Sequence, residues 1–212
     1  MEQLLLWDEQ GFGDAIQALR WVSHAANRCQ RLTLLLRPSL LLLAQQRLAL
    51  PAHVAIQSLV DQPNPWLAHR PHLPLMSLPL ALSELGRAPV TPAQPLFRCR
   101  RRRLGSPARI GLVWAAGRKP EPEPDRHARS RSLPLRHLLQ IIQDGVGQRP
   151  LRLVSLQVGP DAIEADQRDL PWAVEDPGPL NTWEDTAQQL EKLDGLISVD
   201  TAVAHLAGSM GV

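Results

Sequence analysis

The chain has 212 residues, of which 44% are hydrophobic and 21% are charged, and its formal net charge is +2. This composition is typical of a globular chain and excludes an intrinsically disordered one. The small net charge argues against a dedicated nucleic-acid-binding protein, and no apolar run approaches the roughly 20 residues that a membrane-spanning helix needs. Cys29 and Cys99 have no metal-ligand spacing and form no disulfide framework, so we expect a reducing, cytoplasmic location.

The first part of the chain alternates short apolar runs with helical patterns. Leu4–Trp7 predicts a first strand, and the apolar stripe within residues 14–27 predicts a first helix. Leu32–Leu36 predicts a second strand, Pro38 opens a second helix, and His53–Gln57 predicts a third strand. Uniformly apolar strands that alternate with helices indicate an α/β fold with a parallel sheet covered on both faces.

The middle of the chain is rich in proline and then in arginine. The proline density between Pro63 and Pro95 argues against long regular elements. The basic run Arg98–Arg103 has no aromatic residues for base stacking, so a solvated linker is favoured over nucleic-acid binding, and contact with an anionic membrane surface stays open. We therefore place the first domain, with its basic linker, at residues 1–103 and the second at residues 108–212.

The alternation of strands and helices resumes after the basic run. Strands are predicted at Arg109–Trp114, Leu151–Leu156 and Leu196–Val199, and helices at Pro134–Gln143 and Trp183–Leu193. The sequence thus predicts two Rossmann-like domains, each with a parallel sheet.

The turn after the first strand is the first candidate site. Gly11 and Gly13 allow a tight turn and the close approach of another molecule to the backbone. A dinucleotide fingerprint, and with it a nicotinamide-dependent oxidoreductase, is the weaker interpretation because Ile16 replaces the third glycine and the Asp14 carboxylate would repel a pyrophosphate. Asp14 is either the N-cap of the first helix or a general base at the mouth of a cleft, and the sequence leaves both open.

Residues 197–208 join an apolar strand to a helix of small residues. Asp200 and Thr201 fall at the junction, where unpaired backbone N–H groups and the positive end of a helix dipole suit a phosphate. His205 lies four residues after Thr201 and therefore on the same helix face. A single histidine is more often satisfied by a helix neighbour, but this combination favours contact with a ligand.

Two further polar segments follow predicted strands. Arg131 and Ser132 precede the helix opened by Pro134 and suit phosphate oxygens, although a solvated loop of mixed charge over residues 117–132 is favoured when this segment is taken alone. Gln157 follows the next strand. Because ligands of open α/β sheets gather outside the carboxyl ends of the strands, we predict a functional cleft lined by Asp14, the Arg131 loop, Gln157 and the Asp200–Thr201 junction.

Taken in this order, the segments resemble glycosyltransferase family 9, the heptosyltransferase-like enzymes. The similarity is greatest to the bacterial branch that is often found behind tetratricopeptide repeats, and it covers nearly the whole chain. It is carried by the segments Gly11–Asp14, Ile110–Ala115, Arg131–Pro134, Val154–Gln157 and Ser198–Gly208.

The resemblance implies a GT-B architecture, with the acceptor on the amino-terminal domain and a nucleotide-activated sugar on the carboxyl-terminal one. It implies metal-independent, inverting transfer to a glycan or lipid-linked acceptor, with no cofactor besides the nucleotide-sugar co-substrate. Asp14 matches the carboxylate that deprotonates the acceptor hydroxyl, and Arg131 matches a basic position that steadies the donor diphosphate. Asp200, Thr201 and His205 match the donor motif and are assigned to the sugar, the phosphate and a further donor contact.

Two features depart from the family pattern. No tetratricopeptide repeats precede the domain, and the sequence ends at Val212, soon after the donor motif. We therefore expect a fragment or truncated gene product whose second domain is incomplete and has an unpaired sheet edge. A catalytically inactive remnant that binds a nucleotide or a partner is the alternative to an active transferase.

Overall fold

The structure is a computed structural model that describes residues 2–59, 71–84, 95–99, 107–117, 130–147, 149–167 and 169–212. Much of the proline-dense segment, Arg100–Arg103 of the basic run and residues 118–129 of the polar loop lie outside the described residues. Tertiary contacts divide the chain into two units. The first unit comprises Met1–Cys99, Thr182–Glu184 and Gly208–Gly211, and the second comprises Arg100–Asn181, Asp185–Ala207 and Val212.

The first unit is built on a four-stranded parallel sheet. Its strands are β1 (Gln3–Trp7), β2 (Arg31–Leu36), β3 (Val54–Ser58) and β4 (His72–Pro74), in the spatial order β3-β2-β1-β4. The inner strands β1 and β2 are runs of leucine whose central side chains are buried, as expected of a sheet covered on both faces. The short strand β4 comes from the proline-dense segment and was not predicted.

The described part of the first unit contains four α-helices. They are α1 (Phe12–Ala18), α2 (Val22–Ala26), α3 (Pro38–Arg47) and α4 (Leu78–Glu84). The single helix predicted over residues 14–27 is divided by a turn of 3₁₀-helix at Leu19–Trp21. In this tighter winding, side chains three residues apart eclipse each other, and Leu19 and Val22 are accordingly both buried.

The second unit is built on a separate parallel sheet. Its strands are β5 (Ala108–Val113), β6 (Leu151–Ser155), β7 (Val174–Glu175) and β8 (Gly195–Ser198), in the order β7-β6-β5-β8. The helices that follow these strands in sequence are α5 (Leu135–Val146), α6 (Trp183–Leu190) and α7 (Ala202–Met210). Each predicted strand is present within two residues of its predicted bounds.

The core of the second unit lies between its sheet and α5. The buried face of α5 presents Leu135, Leu138, Leu139 and Ile142, whose spacing of three and four residues is that of one helix face. These side chains pack with Trp114, which is fully buried, and each large apolar side chain removed from water contributes roughly 1.5–3 kcal/mol. The helix ends at Gly147, whose φ of 60° favours glycine.

The two sheets share one strand order, in which the first strand lies between the second and the fourth. This is the order of half a Rossmann fold, and it reverses between the first and fourth strands. In the first unit, the reversal lies between β1 and β4; in the second, it lies between β5 and β8. Ligands of such sheets bind outside the carboxyl ends of these strands, which is where the sequence places the candidate sites.

Candidate functional site

The junction between β8 and α7 has the predicted geometry. Asp200 and Thr201 lie between the end of β8 and the first residue of α7. The Thr201 carbonyl accepts hydrogen bonds from the amides of Ala204 at 3.1 Å and His205 at 3.3 Å. The first amides of an α-helix have no intrahelical acceptor, so the start of α7 offers N–H groups and the positive end of the helix dipole to an anion.

Asp200 lies close to the side-chain nitrogen atoms of Arg131 and His205. The Nη1 atom of Arg131 lies 3.3 Å from Asp200 Oδ2 and 3.4 Å from the Asp200 carbonyl oxygen. The Nε2 atom of His205 lies 3.8 Å from Asp200 Oδ1. The side chains of Arg131 and Asp200 are 45% and 67% exposed, and such an ion pair stabilises a protein by about 1 kcal/mol or less. An incoming phosphate can therefore replace the Asp200 carboxylate at Arg131 with little loss of stability.

Thr201 is held by its neighbour at the end of β8. Its Oγ1 atom lies 3.0 Å from the Oγ atom of Ser198, and Ser198 Oγ also donates to the Val199 carbonyl at 2.7 Å. Either hydroxyl can be the donor in the bond between Ser198 and Thr201. This bond orients the Thr201 oxygen at the start of α7.

Gln157 is buried, and its side-chain amide is bound to main-chain groups. Its Oε1 atom accepts from the amides of Trp114 at 3.1 Å and Ala115 at 2.9 Å. Its Nε2 atom donates to the carbonyls of Ala115 at 3.2 Å and Val158 at 3.0 Å. The side chain thus holds the segment that follows β5.

Ser132 binds the same segment from the start of α5. Its Oγ atom accepts from the Ala116 amide at 3.0 Å, and the neighbouring Leu133 amide donates to the Trp114 carbonyl at 2.8 Å. Ser132 thus lies beside Arg131 in sequence and joins it to the carboxyl end of β5.

A cavity of about 360 Å³ opens at the carboxyl ends of β6 and β7, within the second unit. Its lining includes Ser155, Gln157, Val158, Glu175, Asp176 and Gly178. The volume lies within the range of about 300–1,000 Å³ that is typical of small-molecule sites. No sequence pattern indicated this cavity, because the short strand β7 and the loops beside it form it.

Asp14 lies in the first unit, in the first turn of α1, together with Gly13. The N-cap of α1 is Gly11, whose carbonyl accepts from the Ala15 amide at 3.0 Å. The interpretation of Asp14 as the N-cap is therefore wrong. Within the described ranges, the Asp14 carboxylate has no hydrogen-bond or ion-pair partner. A Cβ atom on Gly11 would lie 3.0 Å from Asp14 Oδ2, so the glycine leaves room for the carboxylate.

A half-buried ion pair lies at the same edge of the first sheet. Asp8, which directly follows β1 and has no exposed side-chain surface, accepts from Arg37 Nε at 2.7 Å and Nη2 at 2.8 Å. The Arg37 guanidinium carbon lies 4.1 Å from the centre of the Phe12 ring, at the start of α1. This pair was not predicted, although both residues directly follow predicted strands and therefore lie at the same edge of the sheet.

The described ranges contain neither a cluster of metal-binding side chains nor a helix that could span a membrane. No group of three or more histidine, cysteine, aspartate or glutamate side chains there has the geometry to hold a metal ion. No helix there is both long enough and apolar enough to cross a membrane.

Solved structures of glycosyltransferases are similar to this chain over nearly its whole length. Heptosyltransferase WaaC of E. coli with ADP-2-deoxy-2-fluoro heptose is 13% identical, with a TM-score of 0.56 over 99% of this chain and 86% of that one. The family 9 glycosyl transferase of Veillonella parvula is 11% identical, with a TM-score of 0.64 over 100% and 78%. The ADP-heptose lps heptosyltransferase II of E. coli is 10% identical, with a TM-score of 0.62 over 99% and 82%.

The similarity to these structures establishes the fold. No protein-family model matches the chain, and no curated protein matches it either. At identities of 10–13%, the structural match shows that the chain has the α/β fold of GT-B-type glycosyltransferases. The predicted fold class is confirmed, and so, at the level of the fold, is the resemblance to the heptosyltransferase-like enzymes of family 9.

Proposed function

We propose that this protein is a family 9-like glycosyltransferase that moves a sugar from a nucleotide-activated donor to a hydroxyl of a glycan or lipid-linked acceptor. The observation that carries the proposal is the start of α7, where Asp200, Thr201 and His205 meet Arg131 at the reversal point of the second sheet. The shared fold supports it, since E. coli heptosyltransferase WaaC was solved with ADP and with ADP-2-deoxy-2-fluoro heptose.

The second unit offers separate places for the parts of a nucleotide-sugar. We assign the diphosphate to the start of α7 and to Arg131, and the nucleoside to the 360 Å³ cavity at the ends of β6 and β7. Because β5 alone separates β6 from β8, the ends of those two strands are about 10 Å apart at the usual strand spacing. A nucleoside diphosphate can bridge that distance. Ser132 and Gln157, which were predicted to contact the nucleotide-sugar, bind the segment at the carboxyl end of β5.

The proposed reaction is a single displacement. The Asp14 carboxylate takes the proton of the acceptor hydroxyl, whose oxygen forms a bond to the anomeric carbon as the bond from that carbon to the diphosphate breaks. The configuration at the anomeric carbon inverts because the nucleophile enters opposite the leaving group. The dipole of α7 and the Arg131 charge stabilise the departing diphosphate, and we propose that they do so without a metal ion.

The test is a transfer assay with ADP-, UDP- and GDP-sugars and a bacterial glycolipid extract, with and without EDTA. We expect acceptor-dependent release of nucleoside diphosphate that EDTA does not abolish. Asp14→Ala should abolish release while leaving nucleotide binding intact, because the residue acts on the acceptor. Loss of binding together with transfer would contradict the role of base. Binding without turnover by the wild-type chain would favour the inactive nucleotide-binding remnant.

We further propose that the protein is cytoplasmic and contacts the inner membrane peripherally through the basic run, where lipid-linked acceptors are found. The support is the run of like charges in the sequence, which attracts anionic lipid headgroups. Sedimentation with anionic vesicles at physiological salt tests this contact. A protein that stays in the supernatant at that salt concentration would contradict it.

A further inference from the structure

The segment that follows β5 is held by side chains rather than by a neighbouring strand. The amides of Trp114 and Ala115 both donate to Gln157, and the amide of Ala116 donates to Ser132. Three consecutive main-chain amides are therefore bound by two side chains that come from different elements. This arrangement fixes the path of the chain at the carboxyl end of the strand.

The Gln157 amide uses its whole hydrogen-bonding capacity inside the protein. A carboxamide has two acceptor positions on oxygen and two N–H donors. Oε1 accepts two bonds and Nε2 donates two, and the residue is only 7% exposed. A donor nucleotide would have to displace one of these bonds to contact the amide. The geometry therefore favours a supporting role for Gln157 over a direct contact.

Ser132 connects the held segment to Arg131. Its bond to Ala116 and the bond from the Leu133 amide to the Trp114 carbonyl attach the chain immediately after Arg131 to the segment. From that fixed point, the Arg131 guanidinium reaches the carbonyl and carboxylate oxygens of Asp200. The position of the segment thus sets where the guanidinium lies relative to the start of α7.

We propose that Gln157 and Ser132 are positioning residues that act through Arg131, holding its guanidinium at the place where an anionic ligand meets α7. The inference rests on the proposed function in one respect, because its first test measures the binding of a nucleoside diphosphate at Arg131. The side-chain bonds themselves do not depend on that assignment.

The first test is a double-mutant cycle measured by calorimetric titration with ADP, UDP and GDP and with the corresponding nucleosides. We expect Ser132→Ala and Gln157→Leu each to weaken nucleoside diphosphate binding about tenfold, the effect of losing about one well-placed contact to a charged group. Binding of the nucleoside should stay within twofold, because Arg131 faces the phosphates. Ser132→Thr, which retains the hydroxyl, and Gln140→Leu on the exposed face of α5 are the matched controls.

The cycle decides whether the two residues act through Arg131. In an Arg131→Met background, neither Ser132→Ala nor Gln157→Leu should cause a further loss, since coupled residues are not additive. Equal losses for diphosphate and nucleoside, or an additive effect in that background, would overturn the inference. Gln157→Leu removes the acceptor for the two amides and adds no charge, and Ser132→Ala decides the question if the leucine variant does not fold.

A second measurement needs no ligand. The ¹⁵N–¹H heteronuclear NOE of the Arg131 Nε–Hε group should be positive in the wild-type chain and in Ser132→Thr, and should fall in Ser132→Ala. An unchanged NOE would overturn the inference. If no nucleoside diphosphate binds the wild-type chain, the proposed function fails, and this NOE alone decides the positioning role.

Discussion

At the start of α1, the Asp14 carboxylate lies against Gly11 and has no partner among the described residues. A carboxylate that caps its own helix accepts hydrogen bonds from the helix amides. Asp14 makes no such bond, so its oxygens are available to an acceptor hydroxyl. Gly11 has a φ of −60°, which any residue can adopt, so the glycine is needed to leave room for the Asp14 carboxylate and not for its backbone conformation. The residue before the helix therefore controls where the proposed base lies.

Gly11→Ala is predicted to reduce transfer at least tenfold without weakening nucleotide binding. The new Cβ would lie 3.0 Å from Asp14 Oδ2 and would push the carboxylate away, while the backbone conformation suits alanine. Release of nucleoside diphosphate measures transfer, and calorimetry measures binding. Gly145→Ala, at an open position near the end of α5, is the control and should leave transfer unchanged. Transfer at the wild-type rate by Gly11→Ala would contradict the placement of Asp14.

At the scale of elements, the absence of a side chain at Gly111 lets neighbouring leucine side chains pack against β5. A Cβ on Gly111 would lie 2.7 Å from Leu193 Cδ1, 3.0 Å from Leu196 Cδ1 and 3.2 Å from Leu156 Cδ1. Three leucine side chains would have to move together. Gly111 therefore lets them pack against the strand backbone, close to the end that carries the candidate site.

Gly111→Ala is predicted to lower the free energy of unfolding by about 1–2 kcal/mol, the usual effect of overpacking a core. Gly145→Ala on α5 meets open space and should raise it by about 0.5–1 kcal/mol, because alanine favours a helix over glycine. Urea unfolding followed by circular dichroism measures both variants. If both variants changed the free energy of unfolding by the same amount in the same direction, close packing around Gly111 would not explain the effect of Gly111→Ala.

The elements show how far the sequence determined the structure. The strands β1, β2, β3, β5, β6 and β8 were predicted because apolar runs that alternate with helical patterns identify the strands of a parallel sheet. The strands β4 and β7 have three and two residues, too few for a pattern, and neighbouring strands hold them in place. The division of the first helix depends on which side chains reach the core, and that depends on tertiary packing.

The candidate site was predicted to the same extent. The grouping of Arg131, Asp200 and His205 followed from the rule that strand ends share one edge of a sheet. The engagement of Gln157 with the amides of Trp114 and Ala115 did not, because a residue type and a position do not reveal hydrogen-bond partners. The Asp8–Arg37 pair was missed because only the Gly11–Asp14 turn was considered at that edge.

At the scale of the whole molecule, segments far apart in sequence join within the first unit. Arg47 on α3 binds Glu184 through two hydrogen bonds of 2.7 Å, and the two residues are 137 positions apart. Both side chains are buried, and Arg47 also donates to the Arg98 carbonyl at 3.1 Å. Glu184 was predicted to belong to the second domain, because the order of residues along the chain does not reveal that Thr182–Glu184 pack with the first unit.

Arg47→Met is predicted to lower the free energy of unfolding by about 3–5 kcal/mol, because it leaves the Glu184 carboxylate buried without its cation. The double variant Arg47→Met/Glu184→Leu should recover part of that loss, since it removes both charges. Urea unfolding of the two variants and the wild-type chain measures the difference. A single variant within 1 kcal/mol of wild type would show that the ion pair does not hold the returning segment.

The central claim is that the second unit binds a nucleotide-activated donor at the start of α7. The most direct test is calorimetric titration of the purified chain with ADP, UDP, GDP and CMP, with the double variant Arg131→Met/His205→Ala as the control. We predict saturable binding of one nucleotide by the wild-type chain and its loss in the double variant. A folded wild-type chain that binds none of the four nucleotides, or a double variant that binds as tightly as wild type, would contradict the account.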